Sequence, residues 1–232
     1  MKKFLITAIV MLFGFVSSAQ AEMKIGVTAK AGGFEVDDAS ETFSGSHSSG
    51  SAVGDVTVKA SAEGDEAEGA FIYGSVFLEK QVNEKFSLGI DYVPMAMESE
   101  TTENTVNHQA PGTGNDAQGT NTVQVDFEDL TTIYALLHAN DNVYLKVGYM
   151  EVDVQTNESL ATGGAYGNTT LEGYTVGLGY DHDMDSGVFV RLEATYMDLE
   201  GATLTNANDS TKSVHADGIV GYGAGISIGR AF

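Results

Sequence analysis

This chain contains no cysteine and no tryptophan, has two prolines in 232 residues, and sets only 11 lysines and arginines against 33 aspartates and glutamates. The missing cysteine excludes disulfide staples, thiolate metal sites and thiol nucleophiles. With so few prolines, punctuation falls to glycine, asparagine, aspartate and serine. The shortage of cations gives a formal net charge of −22, which argues against nucleic acid or an anionic surface as a simple electrostatic partner. Long apolar runs are also missing. The longest covers residues 4–16, well short of the ~20 that a membrane-crossing helix needs.

That one apolar run has a different reading. In MKKFLITAIVMLFGFVSSAQA, Lys2 and Lys3 precede the run and the small-residue pattern Ala19-Gln20-Ala21 follows it, the layout of a secretory signal peptide. Residues 1–21 are therefore expected to be a leader cleaved after Ala21, leaving 22–232 as one domain. Removing Lys2 and Lys3 makes the remainder two units more acidic. The composition is 42% hydrophobic, and those residues fall in period-two runs, which a disordered chain has no reason to show.

No window after Ala21 reads as an amphipathic helix. Eight strands are expected, over residues 23–33, 70–80, 86–97, 123–138, 143–154, 170–181, 188–201 and 214–232. In the third, Phe86, Leu88, Ile90 and Tyr92 alternate with Ser87, Gly89 and Asp91. In the sixth, Tyr174, Val176, Leu178 and Tyr180 alternate with Gly173, Thr175, Gly177 and Gly179. The eighth sets Tyr222, Ala224, Ile226 and Ile228 against Gly221, Gly223, Gly225, Ser227 and Gly229. The fourth changes phase between Phe127 and Leu130, which predicts a bulge. Connections alternate too: long polar stretches follow the odd-numbered strands, and the short VNEK, ANDN and HDMDSG follow the even-numbered ones. This predicts a meander of hairpins with two unlike rims.

Successive strand residues face opposite sides, so the apolar side could be the core of a soluble sandwich. The other side would then face water, and glycine is a poor choice there because it weakens a strand with no gain. Small residues suit a crowded interior. The expected fold is thus all-β, an eight-stranded antiparallel up-and-down transmembrane barrel with its apolar face outward, short periplasmic turns and long extracellular loops. Glu79, Asp91, Lys146, Arg191 and Glu193 are then the candidate lumen ion-pair network. Aromatics near the ends of the outward faces form candidate interfacial girdles: Tyr92, Tyr149, Tyr174, Tyr196 and Tyr222 toward the long loops, and Phe86, Tyr180 and Phe232 toward the short turns.

With its leader, eight strands, unequal loops, inward charges and terminal Phe232, the chain resembles the small bacterial outer-membrane barrels. These include the transmembrane portion of outer membrane protein A, outer membrane protein X and the opacity-type adhesins. Tyr222, Ile226, Ile228 and Phe232 match the terminal pattern by which such barrels are handed to their assembly machinery, while Arg230 stands where another apolar residue is usual. The resemblance implies outer-membrane localisation, lipid and lipopolysaccharide as surroundings, the assembly machinery as a biogenesis partner, and a monomer. It also implies a salt-bridged plug or gate in the lumen.

Catalysis needs a nucleophile beside a base held by a third group. His47, His108, His138, His182 and His215 show no such constellation on one strand face, and no enzyme is expected. The acidic segments EVDDASE, EGDEAEG and YDHDMDSG do not match a twelve-residue calcium loop and read as solvated loops, so neither cofactor nor metal is expected. Eight strands leave a lumen filled by side chains, which disfavours bulk diffusion. The expected role is structural or surface-interactive, including adhesion or partner binding through acidic loops. A narrow or gated ion channel is the alternative, and a lipid-modifying enzyme a more distant one.

Overall fold

The period-two alternation becomes eight long strands. These are β1 (Met23–Val36), β2 (Ala67–Asn83), β3 (Phe86–Tyr92), β4 (Asp116–His138), β5 (Val143–Ser159), β6 (Thr169–Asp183), β7 (Val188–Leu199) and β8 (Ile219–Ala231). The coordinates are a computed structural model that describes residues 22–36, 39–43, 56–58, 67–109, 116–160, 164–208, 210 and 212–232. The leader expected at 1–21 lies outside them. Each strand pairs antiparallel with its sequence neighbour, and β8 pairs with β1, Lys24 opposite Ala231 through Val36 opposite Ile219. The sheet therefore closes as an up-and-down barrel with no free edge between its eight strands, as a hydrocarbon surrounding demands. Phe232 and Met23 seal the seam by exchanging backbone hydrogen bonds, 2.9 and 3.2 Å.

Three tight turns and the seam share one rim. Residues 84–85 join β2 to β3, and Asn140 Oδ1 accepts from the backbone of Asn142 and Val143, both at 2.9 Å, to turn β4 into β5. Gly187 takes a positive φ of 77° in the β6–β7 turn. At the other rim the strands overrun the expected lengths. β4 extends to Asp116 and β5 to Ser159, and Thr102–Gln109 and Met97–Glu98 add to the flank of β4. The third strand ends at Tyr92 rather than near Met97. The last is broken, Lys212–Ala216 turning away into a small sheet with Ala202–Thr205, Ala39–Phe43 and Val56–Val58. The bulge expected in β4 is present: the β4–β5 register shifts between Glu128 and Thr131, and Asp129 adopts a φ of 55°.

The glycines of the inner face have a specific job. Gly26 lies directly opposite Phe77, Gly89 opposite Tyr134, Gly179 opposite Tyr144 and Gly229 opposite Phe189. In each pair the ring occupies the space a Cβ on the glycine would take. Directly opposed side chains are the closest neighbours in an antiparallel sheet, so a large ring needs a bare partner to lie flat across the narrow lumen. Tyr144 and Phe189 are fully buried as a result, each contributing about 1.5–3 kcal/mol through its apolar body.

The inner face also differs from expectation in its upper part, toward the long loops. There Tyr73, Val93, Leu130, Met150, Val152, Val154, Leu171, Met197 and Leu199 form a buried apolar cluster. The strands keep their parity toward this rim, but what they carry inward changes from small and ionic to aliphatic. On the outside, Ile72, Leu178, Leu192, Ile226 and Ile228 are 54–80% exposed, and Ile25, Val76, Leu137 and Val147 are exposed with them, an apolar belt carried by strands around the barrel, which marks an interaction or membrane surface. Burial of the charges and exposure of the aliphatics identify the belt as a membrane-spanning surface.

Candidate functional site

All five residues expected in the lumen face it and are brought together in two layers. Near the short-turn rim, Arg191 of β7 is gripped by two carboxylates. Its Nε and Nη2 donate to Asp181 at 2.6 and 2.9 Å, and its Nη1 and Nη2 donate to Glu79 at 2.9 and 3.3 Å. The rings of Tyr144, Phe77 and Phe189 surround the guanidinium, with centroids 4.9, 5.3 and 5.6 Å away. Such planar, two-pronged geometry suits arginine and not lysine. Tyr134 donates to the same Glu79 at 3.2 Å, and Lys24 lies 3.6 Å from Asp181 and 2.9 Å from Asp183 at the mouth.

The second layer is centred on Glu193. Lys146 donates to it at 3.0 Å, Tyr144 at 2.8 Å, and Lys30 lies 3.6 Å away. Lys146 also sits 4.3 Å from the centre of the Tyr134 ring. Asp91 accepts from the Ser75 hydroxyl at 3.0 Å. Lys24, Lys30, Lys146 and Arg191 thus face Glu79, Asp91, Asp181 and Glu193, equal numbers of each sign. That is the condition under which buried charge is tolerated. Above this balanced set lies the aliphatic cluster, and packed among the ions Leu136, Tyr144 and Phe189 have no exposure at all. The site can hold charge in place: the aliphatic cluster covers it toward the long loops, and toward the short turns the pairing runs out to Lys24 and Asp183 at the mouth.

Lys24, Lys30 and Asp181 were missed as members. Asp181 continues the inward parity of Gly177 and Gly179, and the two lysines are in phase with Gly26 and Thr28, so the signal existed. It was obscured because the first strand's phase is hard to read from alanine and glycine.

The eight girdle aromatics all lie on the outer face. Tyr149, Tyr174 and Tyr222 are exposed toward the long-loop rim, and Tyr180 and Phe232 toward the other. The upper hydroxyls find carboxylates: Tyr174 and Tyr196 donate to Asp198 at 2.9 and 3.3 Å, Tyr92 donates to Asp129, and Tyr149 to Glu172. Tyr196 and Tyr222 meet edge to face, 5.4 Å between centroids. Arg230 places its guanidinium 5.5 Å from the Phe232 ring at the short-turn rim.

The histidines are scattered. His138 bonds the buried Ser87 hydroxyl at 3.0 Å, while His47 lies outside the described residues. One row resembles a relay with threonine in place of serine: Thr203 Oγ1 lies 2.8 Å from His215 Nδ1, and His215 Nε2 lies 3.0 Å from Asp217. His215 and Asp217 are both 48% exposed, so the row lacks the enclosed surroundings that make such groups reactive. It braces the Ala202–Thr205 hairpin. Within YDHDMDSG, Asp181 and Asp183 are engaged by Arg191 and Lys24. Parts of the other two acidic segments lie outside the described residues.

No protein-family model matches the sequence, and no curated protein matches it. Solved structures similar to this chain include Ail, the attachment invasion locus protein of Yersinia pestis, in complex with a heparin analogue. It is 9% identical, with a TM-score of 0.40, covering 89% of this chain and 99% of that one. Outer membrane protein OprG from Pseudomonas aeruginosa is 13% identical, TM-score 0.41, covering 91% and 96%. The outer membrane protease OmpT from Escherichia coli is 12% identical, TM-score 0.32, covering 91% and 96%. The strand register of this chain stands independently of them: it is an eight-stranded, antiparallel, up-and-down transmembrane barrel.

Proposed function

We propose that the protein is a non-conducting, non-enzymatic barrel of the bacterial outer membrane, serving as a structural anchor that presents long acidic loops at the cell surface. The observation that carries this reading is the sealed lumen. A balanced set of paired ions, packed among Leu136, Tyr144 and Phe189, which have no exposure, is covered toward the long loops by the aliphatic cluster around Met150, Val152 and Leu171. Conduction would require breaking paired charges and displacing a packed apolar cluster together. Localisation is supported by the exposed belt, by the closed edge-free sheet and by the leader expected at residues 1–21. The loops, rich in aspartate, glutamate and hydroxyl residues, are the part free to meet a partner.

The test is single-channel recording in planar bilayers with the refolded full chain. The expected trace is silent. Resolved conductance steps from protein that keeps its folded gel mobility would overturn the sealed-anchor reading in favour of a gated pore.

A further inference from the structure

Above the tyrosine belt, the outer face of β4, β5 and β6 carries a ladder of carboxylates met by uncharged donors. Gln155 Nε2 donates to Glu128, Asn157 Nδ2 to Asp126 at 2.7 Å, and Thr170 Oγ1 to Asp153 at 2.7 Å. Within this face lies a cleft of about 270 Å³ lined by Asp153, Val154, Gln155, Asn168, Thr169 and Thr170. Its wall is held: Asn168 Oδ1 accepts from the Thr156 backbone at 3.2 Å, and the Thr156 hydroxyl donates to Gly167 at 2.8 Å. Beside it, Asp126 Oδ1 is shielded from solvent and has no hydrogen-bond partner among the described residues, although Asp126 lies directly opposite Gln155.

We infer that this cleft binds saccharide hydroxyls, supplied by the headgroup sugars of outer-leaflet glycolipid. The inference rests on the outer-membrane reading above and extends it to a ligand class. Of the lining, Asp153, Gln155, Asn168 and Thr170 share the outward parity: a carboxylate that accepts, and two carboxamides and a hydroxyl that both donate and accept, the mixture that adjacent sugar hydroxyls need. It has no cation to hold a phosphate, and its one aliphatic residue, Val154, is turned into the buried inner cluster. Position selects the source. Asp153 is four residues beyond Tyr149 on the same strand, about 13 Å at ~3.3 Å per residue before strand tilt is counted. Tyrosines of this kind sit at the membrane interface, so the cleft opens into the headgroup layer rather than into bulk water.

The test titrates the refolded full chain in detergent with three probes: lipopolysaccharide bearing core sugars, lipid A without them, and the free core oligosaccharide. Binding is followed by calorimetry and by amide shifts over residues 153–157 and 168–170. The sugar-bearing glycolipid is expected to bind at least ten times more tightly than lipid A, with the oligosaccharide moving the same amides more weakly. Asn168→Ala and Gln155→Ala should each remove most of that preference while keeping folded gel mobility. Equal binding of the two lipids by the unaltered chain overturns the inference, as does an unchanged preference in both folded variants. An oligosaccharide that binds more tightly than the glycolipid overturns the membrane source. Bilayers that stay silent while no sugar preference is found would sink this site and leave the sealed anchor standing.

Discussion

Arg191→Ala should be among the most damaging single substitutions in the barrel, and the reason is the company it leaves behind. Glu79 and Asp181 each receive two of its hydrogen bonds and are buried, 2% exposed apiece. Removing one partner of a buried ion pair typically costs about 3–5 kcal/mol because the remaining charge is stranded. Two carboxylates are stranded here, while Lys24, 3.6 Å from Asp181, offers partial compensation, so the expectation stays within that range. The lost contacts with Phe77, Tyr144 and Phe189, worth about 0.5–2 kcal/mol, are counted within that range. A loss of 3–5 kcal/mol lowers the folded-to-unfolded ratio by roughly two to three and a half orders of magnitude.

The assay is urea unfolding of protein refolded into detergent or vesicles, read by heat-dependent gel mobility and tyrosine fluorescence. The decisive comparison is the triple variant Arg191→Met, Glu79→Gln, Asp181→Asn, which removes all three charges at similar volume. It should recover most of the loss. If the triple variant is no more stable than Arg191→Ala, stranded charge is not the cause and the reasoning fails. Because the aliphatic cluster lies above the ion pairs, Arg191→Ala should also remain silent in bilayers whenever it folds.

Three further outcomes are expected. Gly179→Ala should destabilise by about 1–3 kcal/mol through overpacking, since its methyl group would collide with the Tyr144 ring; Gly179→Ala placed on Tyr144→Leu should cost clearly less, and an equal cost in both backgrounds would count against the ring-on-glycine pairing. With no native cysteine, Leu178→Cys and Thr175→Cys can be spin-labelled singly. Lipid-borne quenchers should reach the first, 61% exposed, and not the second, 5% exposed; the reverse pattern would turn the barrel inside out. Tyr222→Ala should lower stability in lipid by about 0.5–1.5 kcal/mol beyond the area lost, from its edge-to-face contact with Tyr196, as read by urea midpoints. No change would mean the girdle contact is incidental.

The strand count, the antiparallel order, the closure and the outward girdles could be read from the sequence because period two is strong wherever one side is lipid-facing and the other small. The five ionic residues followed from the same parity. Strand ends were not legible. Past Val154 and in the β4 extension, polar residues such as Gln155, Asn157 and Gln118 pair as well as apolar ones, since backbone hydrogen bonds outside the membrane do not depend on side-chain polarity. The aliphatic lid was hidden for a related reason. Met150, Val152 and Leu171 lie at positions where the expected pattern was small or charged, and an apolar residue near a strand end carries no mark of which way the surrounding sheet leans. Lys24 and Lys30 needed the phase of β1, which Ala29, Ala31, Gly32 and Gly33 blur.

The rings seated on glycines also bear on how the cylinder assembles. Gly26 with Phe77, Gly89 with Tyr134, Gly179 with Tyr144 and Gly229 with Phe189 sit at four different strand junctions. A slip of two residues would keep oily side chains outside and so go unnoticed by the lipid, yet at three of these junctions it would drive a ring into a neighbour that has a side chain in either direction, and at the fourth in the direction of Asp181, Gly177 being bare. Alignment is thus checked from within, junction by junction, by a set of keys that the surrounding membrane never touches.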